Sequence, residues 1–202
     1  MTNDQLTRLA AVNILRVYHA ANDVEREEGA NWYPGALRLF QEIGAQAGRS
    51  VEMLVGAAAA ISPGVTWSLV PGYVARLARR ERVSIPTYSK LNVQKARKIL
   101  RGAAPLDVLS GPKVIAFYLC IMGLDPNAVC VDGHAVRIAR NEPGVIRGEG
   151  SQGARVTPRQ YEQTACAYRL AAGAEGVEAR AMQAITWVTW RGKSSPNLQL
   201  GV

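Results

Sequence analysis

The sequence of 202 residues is poor in the residue types that define several classes of protein. It has two histidines and three cysteines, and the cysteines are widely spaced, with no Cys-X-X-Cys pair. We therefore expect no metal or iron–sulfur centre and no disulfide framework. Cys120, Cys130 and Cys166 are interpreted as reduced core residues of a cytoplasmic protein. No apolar run reaches the length of about 20 residues that a membrane-spanning helix needs, so no membrane association is expected.

Acidic residues are also scarce. The chain has 16 acidic and 24 basic side chains, a formal net charge of +8, and 19 of the basic residues are arginine. Between residues 76 and 101 there are nine basic residues and one acid, Glu81. Because guanidinium groups bind phosphate oxygens in pairs, this bias predicts a polyanionic partner. Charge alone does not choose between DNA, RNA and anionic lipid, and a solvated basic surface without a partner is the alternative.

Strand patterns are missing, and apolar residues recur at helical spacing. This predicts one all-α domain over residues 1–202, with eight to ten helices. The pattern predicts a first helix that ends before Gly29 and a second that follows Pro34. Ser50 is the predicted N-cap of the third helix.

Later parts of the chain contain further helical patterns and one polar segment. The glycine-rich segment 141–156 predicts a surface loop. Thr157 begins a capping-box pattern. The last predicted helix carries Trp187 and Trp190, which are expected in the core. The remaining predicted helices include 67–80, 89–101, 158–172 and 175–190.

The stretch LSGPKVIAFYLCIMGLDPNAVCVDGHAVR, residues 109–137, has charged residues at both ends of an apolar segment. A helix over 114–122 is apolar on every side and must be buried. Lys113 lies at its N-terminal end, where the helix dipole disfavours a cation, so a separate role for this lysine is favoured. Asp132 fits the N-cap of the next helix. Capping alone does not account for its combination with Lys113, His134 and Arg137.

This series resembles the helix-hairpin-helix DNA glycosylases, the group that includes endonuclease III and the 8-oxoguanine glycosylases. In that family a Leu-Pro-Gly hairpin leads to a lysine and a buried helix, and a Val-Asp-X-His element follows. Two upstream segments, AAAAIS at 57–62 and YSKLNVQKARKIL at 88–100, are similar to family segments as well. The resemblance spans about residues 50–140. The matching residues here are Leu109, Gly111, Lys113, Val131, Asp132, His134 and Arg137.

The resemblance implies a two-lobed, all-α helix-hairpin-helix glycosylase fold and a monomer that acts on duplex DNA without a cofactor. Such an enzyme flips a modified or damaged base and hydrolyses its N-glycosidic bond, leaving an abasic site. Asp132 matches the family carboxylate that stabilises the oxocarbenium-like sugar and prepares the attacking water. Lys113 matches the nucleophile of bifunctional members, which also act as AP lyases. Contact of Lys113 with a phosphate is the alternative.

The hairpin LSGPK departs from the family pattern, because it is shorter and Pro112 has no N–H to give to a phosphate. We therefore expect the hairpin to bind the DNA backbone more weakly, and we expect an enzyme without lyase activity. Core packing is the alternative for the aromatic residues of the expected pocket. The residues expected to contact DNA are Ser110, Gly111, His134, Arg137, Lys95, Arg97 and Lys98. Those expected to line the base pocket or wedge the base stack are Trp32, Tyr33, Ser62, Gly64 and Trp67.

The identity of the excised base stays open. Segments such as GANWYP and ISPGVTW are similar to small phage-associated and antiphage members, some of which remove glucosylated 5-hydroxymethylcytosine from phage DNA. Gly64 and the short hairpin would then make room for a bulky base. An ordinary lesion such as 8-oxoguanine is the alternative. Two other functions on the same scaffold are a non-catalytic DNA-binding module and a base-modifying enzyme; the presence of both Lys113 and Asp132 argues against the first.

Overall fold

The computed structural model describes residues 2–142 and 156–191, and in these ranges the chain is helical without a strand, as the sequence predicts. Most of the predicted loop at 141–156 lies outside the described residues. A 3₁₀ turn, Trp67–Leu69, precedes the fourth helix. The helices of the described ranges are α1 (Asn3–Ala20), α2 (Asp23–Ala47), α3 (Val51–Ile61), α4 (Val70–Ala78), α5 (Lys90–Ile99), α6 (Pro105–Val108), α7 (Pro112–Met122), α8 (Gly133–Arg140), α9 (Pro158–Glu175) and α10 (Ala179–Arg191).

The boundary between α1 and α2 lies earlier than predicted. Asn22 caps α2 in a capping box with Glu25, and the helix runs on through Pro34. The prediction of a helix that begins after Pro34 was therefore wrong. A proline within a helix removes one backbone hydrogen bond. The packing of α2 against α10 compensates for this loss. The predicted caps Ser50 and Thr157 are confirmed.

Buried apolar side chains form two clusters. The larger cluster combines α2, α3, α4, α5 and α7, and the smaller cluster combines α1, α8, α9 and α10. Contacts between α2 and α10 connect the two clusters. There, a Cβ atom on Gly29 would lie 2.4 Å from the Ile185 Cα atom, so only glycine permits the observed approach of the helices.

A segment without helical structure, residues 128–131, lies between the two clusters just before α8. Ala128 and Cys130 belong to the larger cluster, whereas Val129 and Val131 belong to the smaller cluster. The Val131 N–H donates to the Val129 carbonyl at 3.0 Å, which forms a tight turn centred on Cys130. The segment therefore places Asp132, the next residue, where the two clusters meet.

Two of the three cysteines are core residues. Cys120 and Cys130 are buried, as predicted, whereas Cys166 is exposed on α9, so its assignment to the core was wrong. The Cys166 thiol faces the charged side of that helix and donates a hydrogen bond to Glu162. Within the described ranges no three His, Cys, Asp or Glu side chains converge as metal ligands, and none of the helices is long and apolar enough to cross a membrane.

Candidate active site

Asp132 is held in one orientation by two hydrogen bonds. Its Oδ1 atom accepts the backbone N–H of Ala135 at 2.8 Å, which makes Asp132 the N-cap of α8, as predicted. Its Oδ2 atom accepts the indole N–H of Trp187 at 3.2 Å. The residue is half-buried. A carboxylate fixed in this way is a preorganised negative charge at a surface that solvent reaches.

Lys113 lies at the second position of α7 and is exposed. Its charge and that of Asp132 both act on the buried thiol of Cys130. Burial raises the pKa of Cys130 to about 12, the Lys113 ammonium opposes this shift, and the Asp132 carboxylate adds to it. Lys113 and Asp132, which are 19 positions apart in the sequence, thus both act on one buried thiol.

His134 is surrounded by the same charges. Burial lowers the pKa of His134, the Asp132 carboxylate opposes this shift, and Arg191, Arg137 and Lys113 add to it. The imidazole is therefore neutral at neutral pH. Its Nδ1 atom is buried and has no hydrogen-bond partner among the described residues. His134 and Arg137 thus lie beside Asp132, as the sequence motif implies, but His134 contributes no permanent positive charge.

Tyr161 of α9 stabilises the backbone near Lys113 and Asp132 through its hydroxyl group. The sequence analysis did not identify this residue. Its hydroxyl donates to the Val129 carbonyl at 2.7 Å and lies 3.2 Å from the Pro112 carbonyl. One side chain thus joins the start of α7 to the segment 128–131, which leads to Asp132. No local pattern distinguishes this tyrosine from others on the buried face of α9.

We expect Tyr161→Phe to lower the free energy of unfolding by about 1 kcal/mol, the net value of one hydrogen bond, because the Val129 carbonyl then keeps only its bond from the Val131 N–H. Chemical denaturation measures this change. Tyr73→Phe is the matched control, since no described residue hydrogen-bonds to the Tyr73 hydroxyl, and its effect should stay within about 0.5 kcal/mol. Equal losses in the two variants would show that the Tyr161 hydroxyl does not brace the site.

An aromatic cluster adjoins the carboxylate. Trp32 is its centre, and its ring centroid lies 4.9 Å from Tyr33, 5.0 Å from Trp67, 5.9 Å from Phe117 and 6.5 Å from Trp187. Three of these residues were predicted pocket residues; Phe117 was missed, and Trp187 was assigned to the core. Trp187 is in fact half-exposed and joins the cluster to Asp132 through its indole N–H.

The geometry of the cluster limits how it can hold a flat ligand. Trp32 and Trp67 are tilted by 42° at 5.0 Å. A base sandwiched between two rings needs them parallel and about 7 Å apart, twice the base-stacking distance. A base would therefore stack on an outer ring face. Tyr33 is buried, and its hydroxyl donates a hydrogen bond to Gln183 at 2.7 Å. Tyr33 therefore forms the buried side of the cluster.

The turn after α3 does not leave the open space that the sequence analysis expected at Gly64. Gly64 has φ +79°, and a Cβ atom there would lie 2.7 Å from the ring of Tyr88, so the ring already fills the room that Gly64 was expected to provide. Ser62 donates to the Ala59 carbonyl and ends α3. Tyr88 is 65% exposed, and its N–H donates to the Pro63 carbonyl. An exposed aromatic ring therefore occupies the expected wedge region, and the sequence analysis missed it.

The connection between α6 and α7 consists of residues 109–111. Gly111 adopts φ +89° at the N-terminal end of α7 and offers no side-chain cap. Ser110 accepts a hydrogen bond from the Lys95 ammonium of α5. Lys95 thus lies at the hairpin, next to two of the predicted DNA contacts. Arg97 and Lys98 are exposed elsewhere on α5.

Within residues 2–142 and 156–191, these features define a helical protein in which a fixed carboxylate adjoins an aromatic cluster where two buried clusters meet. The chain belongs to a family of unknown function, DUF7178, which its residues 1–194 match. No curated protein and no solved structure matches the chain.

Proposed function

We propose that the protein is a DNA glycosylase of the two-lobed helix-hairpin-helix type, which flips a base from duplex DNA and hydrolyses its N-glycosidic bond. The observation that carries the proposal is the position of Asp132. Its carboxylate is fixed by two hydrogen bonds, one of them from Trp187 of an aromatic cluster that can stack a base. The charges of Asp132 and Lys113 both act on the buried thiol of Cys130.

Asp132 supplies the main chemistry of this proposal. As the bond between the base and C1′ breaks, the bond electrons leave with the base and the sugar becomes positively charged. The carboxylate stabilises that charge and accepts a proton from the water whose oxygen bonds to C1′. A carboxylate has about four lone-pair sites, and the cap and the indole occupy two of them. The others remain for the water and the sugar.

Lys113 holds a phosphate of the flipped nucleotide in this proposal. The lysine is exposed, and its ammonium makes no ion pair with any residue in the described ranges. An amine nucleophile is usually activated by desolvation, which an exposed side chain lacks. The reaction therefore ends at an abasic site without strand cleavage.

Mass spectrometry of products tests the function. Protein incubated with phage DNA that carries glucosylated 5-hydroxymethylcytosine, or with a duplex that carries 8-oxoguanine, should release one of these bases. The glucosylated base is the first candidate, on the likeness to antiphage members. Unaltered DNA from a panel of modified genomes would support a non-catalytic binding module, and an altered base that stays in the strand would support a base-modifying enzyme.

Borohydride trapping tests the role of Lys113. We expect no covalent complex on substrate DNA, because the lysine is a phosphate contact. Lys113→Met should then weaken DNA binding by about 1 kcal/mol or more, as the loss of a charge-assisted hydrogen bond does, and base release should persist. Efficient trapping that disappears in Lys113→Met would instead assign a Schiff-base mechanism to this residue.

A further inference from the structure

Five arginines, among them the predicted DNA contact Arg97, line a pocket that includes neither Asp132 nor the aromatic cluster. The pocket, of about 500 Å³, opens between the ends of α4 and α5 and the turn before α3. This volume lies in the range of small-ligand pockets, about 300–1,000 Å³. Leu77, Ala78 and Leu100 supply its apolar surface, and Glu81 is its acid. Its basic residues are Arg49, Arg80, Arg82, Arg97 and Arg101.

Glu81 does not neutralise these arginines. Its carboxylate accepts hydrogen bonds from the Nε atoms of Arg76 at 2.8 Å and Arg79 at 3.0 Å, and neither of these residues lines the pocket. The same two hydrogen bonds lower the pKa of Glu81, so the group stays ionised and bound to them. Among the described residues, none of the five arginines of the pocket makes a salt bridge.

Hydrogen bonds to backbone carbonyls hold the residues of the pocket in place, although the arginines carry uncompensated positive charge. Arg80 has φ +62°, a left-handed conformation that is uncommon for residues with a side chain. Its N–H donates to the Leu77 carbonyl at 2.9 Å. The Arg49 guanidinium donates to the Ala78 carbonyl at 3.4 Å, which fastens the turn before α3 onto the end of α4. All five arginines therefore line one formed concavity.

The pocket faces a different side of α5 from the hairpin. Lys95 contacts Ser110 of the hairpin. At 100° per residue, Arg97 lies about 200° further round the helix. Arg101 follows in the turn after α5, where its N–H donates to the Lys98 carbonyl. Since Arg97 and Arg101 line the same pocket, their like charges repel each other, and an anion between them would relieve this repulsion.

We propose that this pocket is a second anion site, which binds clustered phosphate groups separately from the candidate active site. Guanidinium groups form paired hydrogen bonds with phosphate oxygens, and five of them around one concavity suit a ligand with more than one phosphate. The phosphates come from a free phosphorylated ligand or from the backbone of a DNA strand, which present the same chemistry. The assignment does not depend on glycosylase activity.

Calorimetric titration with inorganic tripolyphosphate tests the site. The full chain should bind tripolyphosphate, and the double variant Arg97→Gln with Arg101→Gln should bind at least tenfold more weakly. The matched control is Arg16→Gln with Arg38→Gln, which removes the same charge from two exposed arginines outside the pocket and should change binding less than twofold. Thermal melting checks that both variants fold.

Failure of the wild-type chain to bind tripolyphosphate, or an equal loss in the two double variants, would overturn the proposal, since the second result would reflect net charge alone. A competition experiment identifies the source of the phosphates. Displacement of a short unmodified duplex by tripolyphosphate assigns the pocket to a DNA strand. Simultaneous binding of both assigns it to a free phosphorylated ligand.

Discussion

Asp132→Asn should lower the rate of base release on the order of 100–1,000-fold, the usual cost of losing one preorganised electrostatic contact in a transition state. The change removes the negative charge that faces the developing oxocarbenium ion. The side-chain oxygen of asparagine can still accept the Ala135 N–H, so α8 keeps its cap. Single-turnover assays of base release measure the rate.

The structure indicates that Asp132→Asn also lowers the free energy of unfolding, which the sequence did not indicate. In Asp132→Asn the new amide N–H₂ group meets the indole N–H of Trp187, and two donors cannot bond to each other. We therefore expect the free energy of unfolding to fall by about 1 kcal/mol, the net value of a hydrogen bond. DNA affinity should hold or rise, because a carboxylate near phosphates repels them.

Trp187→Phe is the control that separates charge from hydrogen bonding. It removes the same indole bond but keeps the carboxylate and an aromatic ring in the cluster. We expect a rate loss of about tenfold at most, which corresponds to about 1.4 kcal/mol. If Asp132→Asn releases base at the wild-type rate, Asp132 is only a structural cap. If Asp132→Asn and Trp187→Phe slow base release by the same factor, the loss comes from the indole hydrogen bond. Either result overturns the catalytic assignment of the carboxylate.

Gly29→Ala should destabilise the fold by about 3 kcal/mol, the upper part of the usual range for overpacking. The added Cβ atom would lie 2.4 Å from the Ile185 Cα atom and 2.7 Å from its backbone nitrogen. Backbone atoms cannot rotate away, so α2 and α10 must separate along their contact. Urea denaturation measures the loss.

Gly173→Ala on α9 provides the matched control. A Cβ atom at Gly173 meets nothing within 4 Å, and alanine in a helix interior is favoured over glycine by about 0.5–1 kcal/mol. This variant should be as stable as the wild type or more so. A loss at Gly29 no larger than the change at Gly173 would mean that α2 and α10 adjust freely to the added methyl group.

Local patterns predicted much of the helical structure because caps and periodicity depend on neighbouring residues. Ser50, Asp132 and Thr157 each carry a side-chain oxygen at the position where it accepts an N–H from the first turn, and each caps its helix. Pro34 misled the prediction because its effect depends on context. A proline costs a helix one hydrogen bond, and the packing of α2 against α10, which no local window contains, outweighs that cost.

The sequence by itself determined the all-helical class, the excess of arginine and the candidate pair Lys113 and Asp132, since each follows from residue type, charge or spacing along the chain. Only the tertiary structure decided what surrounds that pair. The indole of Trp187 and the hydroxyl of Tyr161 reach the site from α10 and α9. Contacts between side chains so distant in sequence are set by the packing of whole helices, which leaves no periodic signal in the chain.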